Sequence, residues 1–174
     1  MGLLMDRPGF TAALLHPRYW LLWLGLGLLW LVVQLPYRWL LGLGRVLGWG
    51  MFHLMSDRRE VARTNLALCF PEMSEIARER LLRENFASNG IALFEMAMAW
   101  WWPRQRLARL AHIEGLEHLN DAAAQGKGVV LMSLHFTTLE IGAALLGQAV
   151  TIDGMYREHR NAAFDFVQRR GRER

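Results

Sequence analysis

Apolar residues gather in separate runs along this chain, and the length of each run predicts a different element. The first covers residues 19–35, YWLLWLGLGLLWLVVQL, with no charge in 17 positions. As one helix it spans about 25 Å, near the short end of what crosses a bilayer. Arg18 and Arg38 flank it, placed to snorkel. Trp20, Trp23, Trp30, Tyr37 and Trp39 suit an aromatic belt at a membrane interface. A cleaved signal would end in small residues, but this run ends in Gln34-Leu35-Pro36-Tyr37. A buried core helix is rarely apolar on every side with so many Trp. The pattern therefore predicts a transmembrane helix at about 19–35. Arg7 and Arg18 precede it, and Arg38, Arg45, Arg58, Arg59 and Arg63 follow, which leans weakly toward a cytoplasmic C-terminal side.

Residues 38–55 are also apolar but carry Arg45 and four glycines, Gly42, Gly44, Gly48 and Gly50. Small residues at this density permit close helix packing, either at a membrane interface or on the rest of the chain. From Ser56 the pattern turns polar and helical. Ser56 or Asp57 is placed to cap a helix over 60–68 that stops at Cys69-Phe70-Pro71, and Ser74 to open the next. Ser88-Asn89-Gly90 reads as an interruption. Residues 91–102, IALFEMAMAWWW, are too few to span a bilayer and read as core.

After Ile113 the period changes again. Leu116–Ala124 predicts a helix, and Gly126-Lys127-Gly128 a turn. Residues 129–133, VVLMS, form a short continuous apolar run of the kind found in buried parallel strands. A helix follows over 137–146, a second strand lies within 149–157, and Asn161 caps a last helix that Gly171 ends. The expected fold is thus α/β: an N-terminal membrane segment (1–55), a helical segment (56–112), and a partial α/β catalytic domain (113–174).

Composition narrows the class. Hydrophobic residues make up 53%, which excludes disorder, and the single cysteine, Cys69, excludes a disulfide framework. Net charge is +4, and 19 of the 20 basic residues are Arg. That balance suits anionic partners. The last 18 residues hold six Arg against Glu158, Asp165 and Glu173. This is either a solvated basic helix end or a site for a phosphate-bearing substrate or an acidic carrier protein. No nucleic-acid-reading module accompanies it.

The sharpest chemical feature is Ser133-Leu134-His135-Phe136-Thr137-Thr138-Leu139-Glu140. His135 follows the expected strand and Glu140 falls in the first turn of the next helix, where ligands of α/β folds collect. There a carboxylate can hold the imidazole tautomer, and the imidazole can serve as general base toward a hydroxyl. Two plainer readings stand beside this one. Thr137-x-x-Glu140 is a capping box, and His135 is equally read as a hydrogen-bonded, half-buried histidine.

In order along the chain stand an apolar N-terminal helix, Asn65-Leu66-x-Leu68-Cys69-Phe70-Pro71-Glu72, His135-x-x-x-x-Glu140, Tyr156-Arg157, and Gly171-Arg172-Glu173-Arg174. This ordered set resembles the late acyltransferases of lipid A biosynthesis, the lauroyl/myristoyl type, within the lysophospholipid acyltransferase superfamily. The resemblance runs from about His16 to Arg174. It implies a single-pass bacterial inner-membrane enzyme with its catalytic part on the cytoplasmic side. It implies transfer of a fatty acyl chain from an acyl carrier protein thioester to a hydroxyl of a lipid A precursor, among membrane lipids, with no metal or other cofactor. By resemblance His135 is the general base, Glu140 its partner, and Arg172 and Arg157 bind substrate. Glu158 and Ala162 replace prolines usual in the family, and family members are longer, so the chain reads as an N-terminal portion. Other readings of the same residues are an inactive remnant or membrane-interaction protein, a hydrolase, and another lysophospholipid acyltransferase.

Overall fold

A computed structural model of the chain describes residues 9–173. Two short 3-10 turns, Ala12–Leu15 and Pro17–Tyr19, lead into α1 (Trp20–Val32), α2 (Tyr37–Leu54), α3 (Ser56–Cys69) and α4 (Glu75–Trp101). A single turn, α5 (Arg104–Leu107), and three further helices follow: α6 (Leu116–Ala124), α7 (Leu139–Ala149) and α8 (Ala162–Arg172). Arg7 and Arg174, which entered the charge and motif readings, lie outside the described residues.

The architecture depends on α4, which runs unbroken for 27 residues. Ser88-Asn89-Gly90 does not interrupt it, because Gly90 is where α2 crosses. A Cβ on Gly90 would stand 2.1 Å from the Gly44 carbonyl oxygen, and one on Gly48 would stand 2.3 Å from the Phe86 carbonyl oxygen. Backbone meets backbone here, and only glycine leaves room. Residues 44 and 48 are one turn apart, so both lie on the face of α2 that buries Leu40 and Phe52. The first turn of α2 is tied down by Tyr37, whose hydroxyl donates to the buried Glu95 carboxylate at 2.7 Å. Burial, and then the hydrogen bond to Glu95, push the Tyr37 phenol well above its usual range.

Residues 91–102 form the core, as their apolar character predicts. Phe94, Ala97, Met98, Trp100 and Trp102 are buried together with Val33 and Leu40, with Leu107 of α5 and Ile141 of α7 closing the cluster. A second cluster joins Phe52 to Leu82 and Phe86. α3 buries no side chain. It lies beside α4 with Arg63 paired to Glu79 at 3.2 Å. Its first residue is Ser56, with no side-chain cap, whereas Ser74 does cap α4 by accepting from the Ala77 N–H at 3.3 Å. The turns before α1 lie against α8, with Leu14, Tyr19 and Ala163 buried together and Phe10 edge-on to Phe166.

Two expectations are overturned. The first is the membrane-spanning helix and, with it, the single-pass inner-membrane chain. Among the described residues no helix is long and apolar enough to cross a membrane. The uncharged run is trimmed by a turn at each end. Pro17–Tyr19 is a 3-10 turn, so α1 begins only at Trp20. Its 13 residues reach about 20 Å, short of the ~30 Å hydrocarbon thickness. At the other end the Trp102 indole donates to the Val33 carbonyl at 2.6 Å. Arg106 donates to the carbonyls of Gln34 and Leu35 at 3.2 and 2.9 Å. These donors satisfy the carbonyls of the three residues just past α1 and fix the bend into Pro36. α2 is longer but carries Arg38 and Arg45 and packs on α4.

The second is the α/β fold. Every regular element among the described residues is helical, and no strand forms at 129–133 or within 149–157. The backbone at 129–133 has no ladder partner among them, and Val130 and Met132 are each 96% exposed. A lone extended segment cannot pair its N–H and C=O groups, so its apolar run does not become a strand.

The glycine crossing makes a direct prediction. Gly48→Ala should destabilise the chain by about 3 kcal/mol, since a Cβ there meets backbone that cannot move without separating α2 from α4. Gly42→Ala, with nothing within 4 Å, should stabilise by ~0.7 kcal/mol through helix propensity alone. Chemical denaturation of the pair checks both signs.

Candidate active site

Three helix ends meet where α4 finishes. Glu140 occupies the first turn of α7, Arg172 the last turn of α8, and Trp100 the last turn of α4. Arg172 grips Glu140 with both arms of its fork. Nε donates to Oε2 at 3.1 Å and Nη2 donates to Oε1. The Trp100 indole N–H donates to the same Oε2 at 3.4 Å. Each helix also places its charge where its dipole favours it, an acid at the start of α7 and a base at the end of α8. The carboxylate is mostly shielded and the guanidinium about half so. Bonding to Glu140 holds the Arg172 guanidinium above its usual range.

The N-cap of α7 is Thr138 rather than Thr137, and it makes no side-chain cap hydrogen bond, so the Thr137-x-x-Glu140 capping box does not form and Glu140 is directed to Arg172 and Trp100 instead. His135 stands apart on the extended stretch before α7, exposed, and makes no hydrogen bond or ion pair to Glu140 or to any other described residue. Of the four residues singled out from sequence, the structure brings Glu140 and Arg172 into contact. It sets Arg157 beside Arg172 along the rim of an open depression of about 640 Å³, and leaves His135 outside both groupings.

That depression also involves Tyr156, Arg160 and Gln168. Tyr156 lies beneath two guanidinium groups, Arg169 at 6.0 Å and Arg172 at 5.8 Å from the ring centre. Its hydroxyl donates to Asp165, which also accepts from the His159 backbone N–H at 2.6 Å. Asn161 caps α8 by accepting from the Ala163 and Phe164 N–H groups at 3.1 and 3.2 Å. The loop entering α8 is thus tied to its first turn, and Arg157 is carried on that loop. Burial, and then the hydrogen bond to Asp165, raise the Tyr156 phenol to about 12. Among the described residues no three His, Cys, Asp or Glu side chains gather as a metal site.

Trp100 and the Tyr156–Asp165 pair escaped sequence reasoning. Trp100 sits in a run whose apolar pattern says core, and nothing in its spacing discloses an N–H aimed at a carboxylate 40 residues later.

The sequence pattern of the family described as "Bacterial lipid A biosynthesis acyltransferase" matches residues 7–174. The chain belongs to that family. It is 48% identical over 167 residues to the lipid A biosynthesis lauroyltransferase of Escherichia coli K12, covering 96% of this chain and 55% of that protein. It is 45% identical over 165 residues to the palmitoleoyltransferase of the same organism, covering 95% and 54%. It is 30% identical over 165 residues to that organism's lipid A biosynthesis myristoyltransferase, covering 92% and 50%. The chain therefore spans about half the length of the curated relatives it matches. No solved structure matches it. Within the matched range, His135 lies on the segment before α7, Glu140 on α7, and Gly171 and Arg172 on α8.

The Tyr156 shift sets a pH window. A phenol whose folded pKa is raised from 10.0 to about 12 lends stability that is complete below pH 10.0 and lost as the pH climbs through about 12. Tyr156→Phe should flatten the alkaline loss of stability across that interval, as measured by denaturation at a series of pH values.

Proposed function

We propose that the chain carries the acyl-transfer site of a lipid A acyltransferase, moving a fatty acyl group from an acyl carrier protein thioester to a hydroxyl of a lipid A precursor. Membership in the family supports the reaction class, and the relatives' names support the acceptor. The observation that carries the reading is the shared position of Arg172, which grips Glu140 and also lines the basic depression with Arg157. One guanidinium thus borders both the helix end that follows His135 and a surface suited to phosphate.

In the proposed reaction His135 is the general base. It takes the proton of the acceptor hydroxyl as the oxygen attacks the thioester carbonyl. The C–O bond forms, the C–S bond breaks, and the imidazolium returns the proton to the leaving thiolate. Glu140 is the carboxylate that orients the imidazole once substrate closes the site, since catalytic hydrogen bonds tighten in the substrate complex. Arg172 and Arg157 hold the acceptor's phosphates. Acidic groups on the carrier match the net positive charge. Exposed Trp20, Leu21 and Leu24 on α1, and Trp39, Val46 and Trp49 on α2, offer apolar surface for lipid chains.

The test is acyl transfer by this chain from an acyl carrier protein thioester to a lipid A precursor. His135→Ala should lower turnover by about a hundredfold or more. Turnover unchanged by that substitution would overturn the assignment of the base. Thioester hydrolysis independent of the acceptor would point to a hydrolase.

A further inference from the structure

Trp100 is 1% exposed and lies at the junction of three helices. Its ring is flanked edge-on by Trp101 at 6.0 Å and by Phe164 at 5.7 Å. Its indole N–H reaches Glu140 on α7. Against the ring sits Gly171 of α8. A Cβ there would stand 2.5 Å from Trp100 Cγ and 2.6 Å from its Cβ, so no other residue fits at this separation. Gly171 directly precedes Arg172, the residue that grips both oxygens of Glu140. Gly171 was expected to end the last helix, but α8 continues one residue beyond it, through Arg172. Its distinctive feature is therefore the missing side chain.

We infer that Trp100 and Gly171 are positioning residues for the Glu140–Arg172 pair. The indole fixes the carboxylate rotamer by hydrogen bonding one oxygen. The glycine lets α8 settle on the indole face, so that the guanidinium of the next residue meets that carboxylate two-pronged. One aromatic side chain thereby sets both members of the pair. This rests on the acyl-transfer reading for its functional consequence, but not for the geometry itself.

Two measurements on the 174-residue chain separate geometry from function. In ¹H–¹⁵N spectra of the tryptophan indoles, the Trp100 peak is the one that Trp100→Phe removes. It should move on Glu140→Gln and on Gly171→Ala, while most of the other indole peaks stay in place. In the transfer assay, Trp100→Phe keeps a ring against Gly171 but removes the donor. It should lower kcat about tenfold and leave KM for both substrates within about twofold, the loss expected for one hydrogen bond to a charged group. Gly171→Ala, which displaces Arg172 as well, should lower kcat and also raise KM for the lipid A precursor, and Gly171→Ser should do no better. Circular dichroism shows whether each variant is folded. An indole peak indifferent to Glu140→Gln overturns the positioning role, whatever the activity. A peak that moves in a chain with no transfer activity upholds the positioning role and counts against the acyl-transfer reading instead. Wild-type kcat in folded Trp100→Phe overturns the link between the two.

Discussion

Backbone contact between α2 and α4 is the constraint on which the other arrangements rest. Gly44, Gly48 and Gly90 remove the side chains that normally keep helices 8–10 Å apart. With α2 seated this closely, Tyr37 reaches the buried Glu95, and Leu40 joins Val33, Met98 and Trp102 in one core. The C-terminal third of α4 is held by that core, and it is this third that carries Trp100. The same device recurs on a smaller scale at Gly171, where a missing Cβ again sets how closely a helix approaches. Close approach through glycine therefore operates at two levels, first to fix the long helix and then to dock the short helix that bears Arg172.

Such a constraint explains what the sequence disclosed and what it did not. Helix starts at Ser74 and Asn161, and the core character of residues 91–102, follow from local rules of capping and apolarity, and the structure has them. The glycines are visible as a cluster, but their meaning depends on what lies opposite, and Gly90 reads as a break because a glycine looks the same at a turn and at a crossing. The uncharged run at 19–35 likewise depends on partners distant in sequence. Its length on paper is 17 residues, yet donors at Trp102 and Arg106 and the turn at Pro17 cut it to a 13-residue helix. The apolar run at 129–133 has the composition of a strand, but a strand is a property of two segments, and no second one pairs with it among the described residues.

The candidate site divides along the same line. Glu140 and Arg172 were legible as chemistry, because a carboxylate after a histidine and an Arg-rich helix end each suggest a use. That they would hold each other was not legible, since 32 residues separate them and their meeting depends on two docking events. His135 is a reminder that closeness in sequence differs from contact. Five positions from Glu140, it lies on a stretch whose direction no helix imposes, whereas Arg172 and Trp100 sit on helices that α4 fixes.

The donors that fix the bend after α1 have a consequence in time as well as in space. Trp102 and Arg106 lie 69 to 72 residues after the carbonyls they satisfy. At a synthesis rate of roughly 5–20 residues per second, the apolar stretch waits roughly 3–14 seconds for its clamp to be made. Throughout that interval the nascent chain presents an uncharged, tryptophan-rich segment with open carbonyls at its end. Any chaperone or lipid that meets the ribosome then encounters a more apolar, less bounded segment than the finished fold displays. For this stretch of chain, the order of synthesis therefore governs exposure as much as the final packing does.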